Sequence, residues 1–279
     1  MPSIQSYYKG TIPIIDPDTP RGRDWLHPKG ATYGAVPRDY SVDPVEMFDP
    51  PSQMKIYSES EWDALYDEQE AKESSLEHLF LPGGKPAFVN LDQNGNGYCW
   101  AYSTGHALMM TRLLMNQPLV RLNPHSVAAI IKGGADEGGW CGLSAKFARE
   151  HGYAEEGTGP GQWPLHSRNL KYDTPECRTQ MARFKSTEEW VDLSRPVYDV
   201  DMPIAAYVTA LFNCMPSPSD FNFWSHSVLG MRWVRISRGN WGLLILNSWL
   251  GWGRFGLGVL EGSKARPDSM LSIRVARAA

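Results

Sequence analysis

Apolar positions keep a helical spacing through the middle of the chain and give way to short strand-like runs toward its end. In Lys55–Leu79, Trp62, Leu65, Tyr66, Leu76 and Leu79 partly share a helical face, and Ser58 with Glu61 fits a capping box. A second helix is predicted from Cys99 to about Asn116, carrying Trp100, Ala101, Leu108, Met109, Leu113 and Leu114 and stopping before Pro118. Asn123-Pro124 reads as an N-cap followed by proline at the first helical position, with Gly133 as the terminator. Leu143–Glu150 makes a further helix, closed by Gly152. Beyond about residue 200, strands are predicted over Ile204–Leu211, Ser227–Val234, Leu243–Leu246, Gly256–Leu260 and Leu271–Val275. Asn240 and the turn glycines Gly239, Gly242, Gly251 and Gly253 punctuate this part. Helices first and strands afterwards imply an α+β protein of two lobes, a helical one over about 81–200 and a β lobe over about 201–279.

The first 80 residues follow a different grammar. Residues 1–54 are rich in proline, glycine and aspartate without a sustained period, and read as an extended arm that orders only against another surface. Acidic residues then crowd 59–77 with Lys72 the single base among them, either a solvated helix face or a docking or inhibitory element. Leu81-Pro82-Gly83-Gly84-Lys85-Pro86 marks a boundary, so 1–80 is expected to be an N-terminal extension and 81–279 the main domain.

Composition narrows the partners. The 279 residues are 42% hydrophobic and 21% charged, ordinary for a globular protein. A net charge of −4 without a basic run gives no expectation of nucleic acid. No apolar stretch approaches the ~20 residues of a membrane span, so no membrane partner is expected. The amino terminus lacks the basic and apolar regions of a signal peptide, which points to a cytoplasmic or assembly-associated protein, such as a virion component. The cysteines at 99, 141, 177 and 214 form no C-x-x-C pair and have no ligand-like spacing to histidines, so neither a structural metal nor a cofactor is expected. With Cys99 kept as a free thiol the other three cannot all pair, which agrees with a reducing compartment, and Cys141, Cys177 and Cys214 read as buried thiols.

Cys99 carries the chemistry. It follows the glycine-broken loop Asn94-Gly95-Asn96-Gly97-Tyr98, opens a helix, and has Gln93 six residues upstream. A helix N-terminus beside an imidazolium lowers a thiol's pKa and holds the thiolate ready to attack a carbonyl. Among seven histidines, His226 opens the strand-like run Ser227–Val234, where a rigid strand aims it across a cleft. Asn247, ending Leu243–Leu246, supplies an acceptor to orient that ring, and Trp249 shields the bond from water. His106, His125 and His151 read as helix-face residues without a catalytic role.

These residues resemble the papain-like cysteine peptidases. The nucleophile motif is matched by Gln93, the glycine loop and Cys99-Trp100-Ala101-Tyr102-Ser103; the histidine motif by His226-Ser227-Val228-Leu229-Gly230; and the Asn-Ser-Trp motif by Asn247-Ser248-Trp249, followed by Gly251-Trp252-Gly253-Arg254-Phe255-Gly256. Gly138-Gly139-Trp140 resembles the glycine pair lining the family's substrate cleft, and Pro164 its later proline turn. The resemblance covers about residues 81–279. It implies a two-lobed papain-like fold with a β-barrel-like second lobe, Cys99 as nucleophile, His226 as general base and acid, and Asn247 as orienting residue. It also implies an oxyanion hole from the Gln93 side chain and the Cys99 amide, worth about 3 kcal/mol per donor. Trp100 and Trp249 would support the site, and Gly138, Gly139 and Trp140 would bind an extended peptide as an added strand.

The chain departs from the family at three residues and in its extension, since the acidic helix and proline-rich arm lack the spaced helical motif of the family's secreted propeptides. Asn96 stands where a disulfide cysteine is usual, Tyr98 replaces a small residue and is expected to crowd the cleft, and Ser225 precedes the histidine where Asn or Asp is common. The readings left open are a peptidase cutting peptide or isopeptide bonds, a thiol hydrolase of peptidoglycan crosslinks, and an assembly protein that keeps the fold while residues 1–80 bind neighbours.

Overall fold

A computed structural model describes residues 12–41, 54–194 and 202–275. The expected lobe boundary at 200–201, the amino-terminal residues read for a signal, and part of the arm lie outside these described residues. In chain order the main elements are β1 (Ile12–Ile15), α1 (Pro20–Leu26), α2 (Glu59–Ala71), α3 (Leu76–Phe80), α4 (Cys99–Leu114), β2 (Leu122–Asn123), α5 (Pro124–Ile131) and α6 (Cys141–Glu150). They continue as β3 (Ala154–Glu155), α7 (Pro175–Met181), β4 (Glu189–Asp192), α8 (Met202–Phe212), β5 (Ser217–Phe221), β6 (His226–Ser237), β7 (Asn240–Leu246), β8 (Leu257–Glu261) and β9 (Ser269–Arg274). The α+β class expected from the sequence holds.

Seven strands form one sheet in the order β1-β8-β7-β6-β5-β9-β4. Every pairing is antiparallel except that β1 runs parallel to β8, with Ile14 opposite Val259. β7 lies inside the sheet, and Leu243–Leu246 is buried without a break, so both of its faces are covered. Helix α4 is buried continuously from Cys99 to Thr111 and packs on β6, α6 and α5. A helix with no exposed side belongs to the centre of a molecule, and α4 is the floor on which the two lobes meet.

Helix signals in the middle of the chain match the elements closely. Asn123 caps α5 by accepting from the His125 amide at 3.0 Å, Pro124 is its first residue, and Gly133 follows its end at φ +62°. Ser58 and Glu61 form the capping box of α2, but the predicted helical face ends early. Glu73 turns into the left-handed region at φ +46°, and Leu76 and Leu79 belong to the separate helix α3.

One element is of the wrong type. Ile204–Leu211 was expected as a strand, and the structure makes it part of α8. The run holds Ala205, Ala206 and Ala210, and an apolar stretch covered on most sides has no period by which to tell helix from strand. The helix is wedged between α2 and β6, so burial rather than amphipathic pattern sets its sequence. Among the described residues, β1 to β5 were not among the expected strands. β1, β2, β3 and β4 are short, and β5 reads Ser-Pro-Ser-Asp-Phe, a run rich in polar residues that is buried throughout.

No helix among the described residues is long and apolar enough to cross a membrane.

Candidate active site

Cys99 is the first residue of α4 and is fully buried. Its thiol sits against the backbone of Ser227 and Gly34. Burial pushes it up to about 12, with hydrogen bonding to the Ser227 backbone opposing, the Asp220 charge adding, and the Gly34 and Trp100 backbone opposing. In this arrangement the helix N-terminus does not prevail, because desolvation of a thiolate outweighs half a unit of dipole charge. Tyr98 does not crowd the cleft as expected. Its hydroxyl donates to the Ala135 carbonyl at 2.6 Å, inside the helical lobe.

His226 begins β6, and its Nε2 lies 2.8 Å from Asn247 Oδ1. The Ser248 amide also donates to that oxygen at 2.7 Å, so the atom facing the ring is an acceptor and Nε2 must carry the proton. Nδ1 is therefore the basic nitrogen, and it is buried with no hydrogen-bond partner. Asn247 is held through its backbone: its amide donates to the Gly256 carbonyl at 2.8 Å, and its carbonyl accepts from Asn90 Nδ2 at 2.7 Å. Trp249 lies over the imidazole at 4.3 Å between ring centroids, and Trp224 packs at 4.6 Å on another side. Burial lowers His226 to about 4, with the Asn247 bond opposing the shift.

Gln93 is fully buried beside this pair. Its Oε1 accepts from the Ser248 hydroxyl at 2.7 Å, which ties it to the residue following Asn247. Its Nε2 donates to the Asn96 carbonyl at 2.7 Å and to the Thr32 carbonyl at 3.1 Å. Thr32 belongs to the amino-terminal arm, and this contact reveals what the sequence did not suggest. Residues 31–38 run through the cleft as a strap.

The strap is bonded to both lobes. The amides of Gly34 and Ala35 donate to the Ser225 carbonyl at 3.1 and 3.0 Å, on the β side. On the helical side Gly139 donates to the Gly34 carbonyl at 2.8 Å and accepts from the Val36 amide at 2.9 Å, a parallel bridge centred on Ala35 and Gly139. The glycine pair read as a peptide cradle thus holds a peptide of the same chain. A Cβ on Gly138 would stand 2.7 Å from the Gly34 carbonyl oxygen, and one on Gly139 would press into the Trp100 ring at 2.8 Å. The tightest point is Gly34 itself, where a Cβ would fall 1.8 Å from the Gly97 carbonyl oxygen. Trp140 also faces the strap, its ring 4.3 Å from the Arg38 guanidinium.

Upstream, the strap is anchored through indoles. Trp224 Nε1 donates to the Leu26 carbonyl at 2.7 Å, and Trp252 Nε1 to the Trp25 carbonyl at 2.8 Å. Tyr33 sets its ring edge-on against Trp249 and His226. On the Gln93–Trp249 side the cleft stays open as a cavity of ≈ 380 Å³ lined by Thr32, Asp92, Asn94, Leu250 and Trp252 among others.

His106 and His125 are buried structural residues: Leu91 donates its amide to His106 Nε2, and His125 Nδ1 pairs with the Tyr102 hydroxyl. His151 is only partly covered at the end of α6. Cys141, Cys177 and Cys214 are buried and in no disulfide. Trp224 and the strap residues Thr32, Tyr33 and Gly34 were not singled out from the sequence, and Ser248 was quoted in its motif without a role. Trp224 had one weak mark, an aromatic two residues before the histidine.

No protein-family model matches the sequence, and no curated protein is significantly similar to it. Solved structures do match. Xylellain, a cysteine protease from Xylella fastidiosa, superposes with a TM-score of 0.58 at 18% identity, over 89% of this chain and 98% of that one. The bromelain protease from Ananas comosus, solved with the E64 inhibitor, gives a TM-score of 0.51 at 16% identity over 68% of this chain and 94% of its own. Digestive procathepsin L 3 of Tenebrio molitor gives 0.50 at 15% identity, over 90% and 77%. At such identities the likeness speaks for architecture, and the chain has the papain-like cysteine protease fold.

Proposed function

We propose that the protein is a latent cysteine peptidase, cutting peptide or isopeptide bonds, whose own residues 31–38 close the cleft. The observation that carries this reading is the place of His226 beside Cys99 together with its tautomer. Asn247 accepts the Nε2 proton, which leaves a basic Nδ1 without any partner, on the strand residue next to the Ser227 backbone that touches Cys99. His106 Nδ1 and His125 Nε2 are buried without a partner as well, so what sets His226 apart is its place beside the Cys99 thiol with Asn247 holding its other nitrogen.

With the strap displaced, water and substrate enter and the burial that holds Cys99 protonated is relieved. The thiol proton passes to His226 Nδ1 as Sγ attacks the substrate carbonyl. The oxyanion that forms takes the hydrogen bond that Gln93 Nε2 now gives to the Thr32 carbonyl. Collapse of the tetrahedral species breaks the C–N bond, and His226 gives its proton to the leaving amine. Water then attacks the acyl-thioester, again through His226, and releases the acid with the thiol restored. Asn247 keeps the ring in plane throughout, and Trp249 and Trp224 keep bulk water from that bond.

Latency follows from the same geometry. The strap occupies the Gly139 backbone, the Gln93 donor and the space above Cys99 at once. Labelling with an epoxide thiol reagent tests both parts. Gly34→Ala sets a methyl group against the Gly97 carbonyl and loosens the strap, and Cys99 labelling at pH 7 is expected to rise tenfold or more over the native chain. That factor corresponds to about 1.4 kcal/mol, the scale of one or two hydrogen bonds. Cys99→Ala should abolish the adduct. A folded, reduced Gly34→Ala protein that leaves Cys99 unlabelled would sink the peptidase reading.

A further inference from the structure

The strap ends in a side chain that its backbone contacts do not explain. Arg38 has 8% of its surface exposed, and its side chain almost none. Nη1 stands 2.9 Å from Asp192 Oδ2 and donates to the Ser194 hydroxyl at 3.1 Å. The guanidinium lies between two rings, 4.3 Å from Trp140 and 4.4 Å from Tyr40. A second carboxylate, Asp220, is fully buried close by and feels the Arg38 charge. Its Oδ2 accepts from the Cys141 amide at 3.1 Å, while Oδ1 is buried with no partner. Burial raises Asp220 to about 6, with the Ser227 hydroxyl, the Cys141 amide and thiol, and Arg38 pulling it back.

This pocket belongs to the cleft. Trp140 directly follows the Gly138–Gly139 pair that holds the strap. Asp220 lies opposite Ser227 in the β5–β6 ladder, and Phe221 lies opposite His226. Asp192 closes β4 on the far side of β9. Two acidic side chains, one flat indole and a hydroxyl thus converge beside the candidate catalytic pair.

Arg38 fills this space without using it fully. Its Nε and Nη2 are buried with no hydrogen-bond partner, as is Asp220 Oδ1. Leaving donors and an acceptor unpaired in one pocket is unfavourable for both, so the pocket offers more than this occupant takes. When the strap leaves, buried Asp192 loses its paired cation and buried Asp220 a neighbouring positive charge, and the next ligand has to bring one. A planar group that can lie on Trp140 and fork between carboxylates fits better than a compact ammonium.

We propose that the pocket filled by Arg38 is a specificity pocket that takes the arginine side chain of a substrate once the strap is displaced. This rests on the peptidase reading. Residues 31–38 then act as an internal substrate mimic, with Arg38 in the place of the recognised side chain. The bland counterpart is an anchor that holds the strap and plays no part in substrate choice.

Arg38→Ala in the full chain empties the pocket and separates the two. Incubated with a panel of peptides identical except for arginine, lysine, citrulline or norleucine at successive positions, it is expected to prefer arginine at least tenfold over citrulline at one fixed position. Asp220→Asn added to Arg38→Ala should bring that ratio below about threefold, since the charge goes while the shape stays. Cleavage without preference at any position overturns the pocket and leaves the peptidase reading standing. Gly34→Ala serves as the second opened form if Arg38→Ala does not fold. If neither form cleaves or is labelled at Cys99, the peptidase reading fails, and calorimetry with N-acetyl-arginine amide decides the pocket alone. Saturable binding to the opened chain that is lost with Asp192→Asn and Asp220→Asn supports it, and absence of binding overturns it.

Discussion

Two segments that precede Cys99 in the chain both dock on the β lobe, yet they are held by opposite means. The strap at 31–38 is fixed mainly by four backbone hydrogen bonds to Ser225 and Gly139, with a glycine at its closest approach and one buried ion pair, Arg38 with Asp192, at its last residue. Helix α2 is fixed by side chains. Trp62 packs edge-on to Trp233 and Trp241, and Gln69 donates to the Phe212 carbonyl at the end of α8. Arg232, fully buried on β6, receives Gln69, Glu70 and Glu77 around its guanidinium and lies over Tyr66. A bulge at Met231 re-phases the side chains of β6 next to that residue. Backbone bonds in a cleft can be handed to another peptide with little loss, because any extended chain offers the same groups. Arg38 can be replaced by a side chain that the incoming peptide brings, whereas nothing that enters the cleft can take the place of Arg232, which belongs to β6 itself. The contrast separates a segment that can be exchanged for substrate from one that belongs to the core.

The largest effect should come from the helix side. Arg232→Ala leaves Glu77 buried without its partner, and loss of one member of a buried ion pair costs about 3–5 kcal/mol. Urea unfolding should show that loss, while Cys99 labelling of the folded fraction stays as low as in the native chain. Gly34→Ala should give the reverse, faster labelling with a global loss of about 1–2 kcal/mol, no more than the strap's own share. If Arg232→Ala also opened the cleft, the two segments would be one unit and the contrast would be lost.

Acid provides a second, somewhat smaller lever. His226 faces the rings of Trp224, Trp249 and Tyr33 and the Asn247 side chain, and burial lowers it to about 4. An exposed imidazole titrates near 6.5, so the open form takes up a proton first as pH falls. The closed form has its full advantage above about 6.5 and loses it down to about 4, by an amount on the order of 3 kcal/mol. Asp220, raised to about 6 by burial, partly offsets this, because the closed form takes up its proton first as pH falls. Deuterium uptake at the Gly34 and Ala35 amides, corrected for intrinsic exchange, should therefore rise between pH 7 and 4.5 while α2 amides stay protected. Uptake that ignores pH would remove the imidazole as the sensor.

The same contrast explains what could be read from the sequence. Gln93, Cys99, His226 and Asn247 each stand at the end or start of an element, where glycine loops and changes of period leave a local mark. The structure joins His226 to Asn247 directly, Gln93 to Ser248, and Cys99 to the Ser227 backbone. The acidic helix was visible through its capping box and its Trp62–Tyr66 spacing. The strap left no such mark, because most of its hold comes from backbone groups that every residue carries. Besides Arg38, only Gly34 is chemically required, and a lone glycine in a proline-rich arm looks like any turn. Asp220 was hidden for another reason. It sits in a strand whose buried face is serine and aspartate, with Ser219 paired to the Tyr207 hydroxyl, and a hydrophobic pattern cannot find a polar interior. Helix α8 escaped because burial on most sides erased its period.

The smallest effect tests whether the acidic surface of α2 contributes to its docking. Arg235 reaches Asp63 at 2.8 Å and Asp67 at 2.6 Å, but both carboxylates are more than 60% exposed. Ion pairs of that kind contribute about 0.2–1 kcal/mol and are screened by salt. Arg235 also lies over the Tyr66 ring at 5.0 Å, and this contact should persist when the charges are screened. Arg235→Ala should therefore lower stability by about 1 kcal/mol or less, with roughly half of the loss gone in 1 M salt. Arg232→Ala should keep nearly all of its effect there, because its partner Glu77 is sealed from the solvent that carries the ions. Equal losses, equally sensitive to salt, would mean that the helix is held at its surface, and the distinction drawn from the buried network would have to be withdrawn.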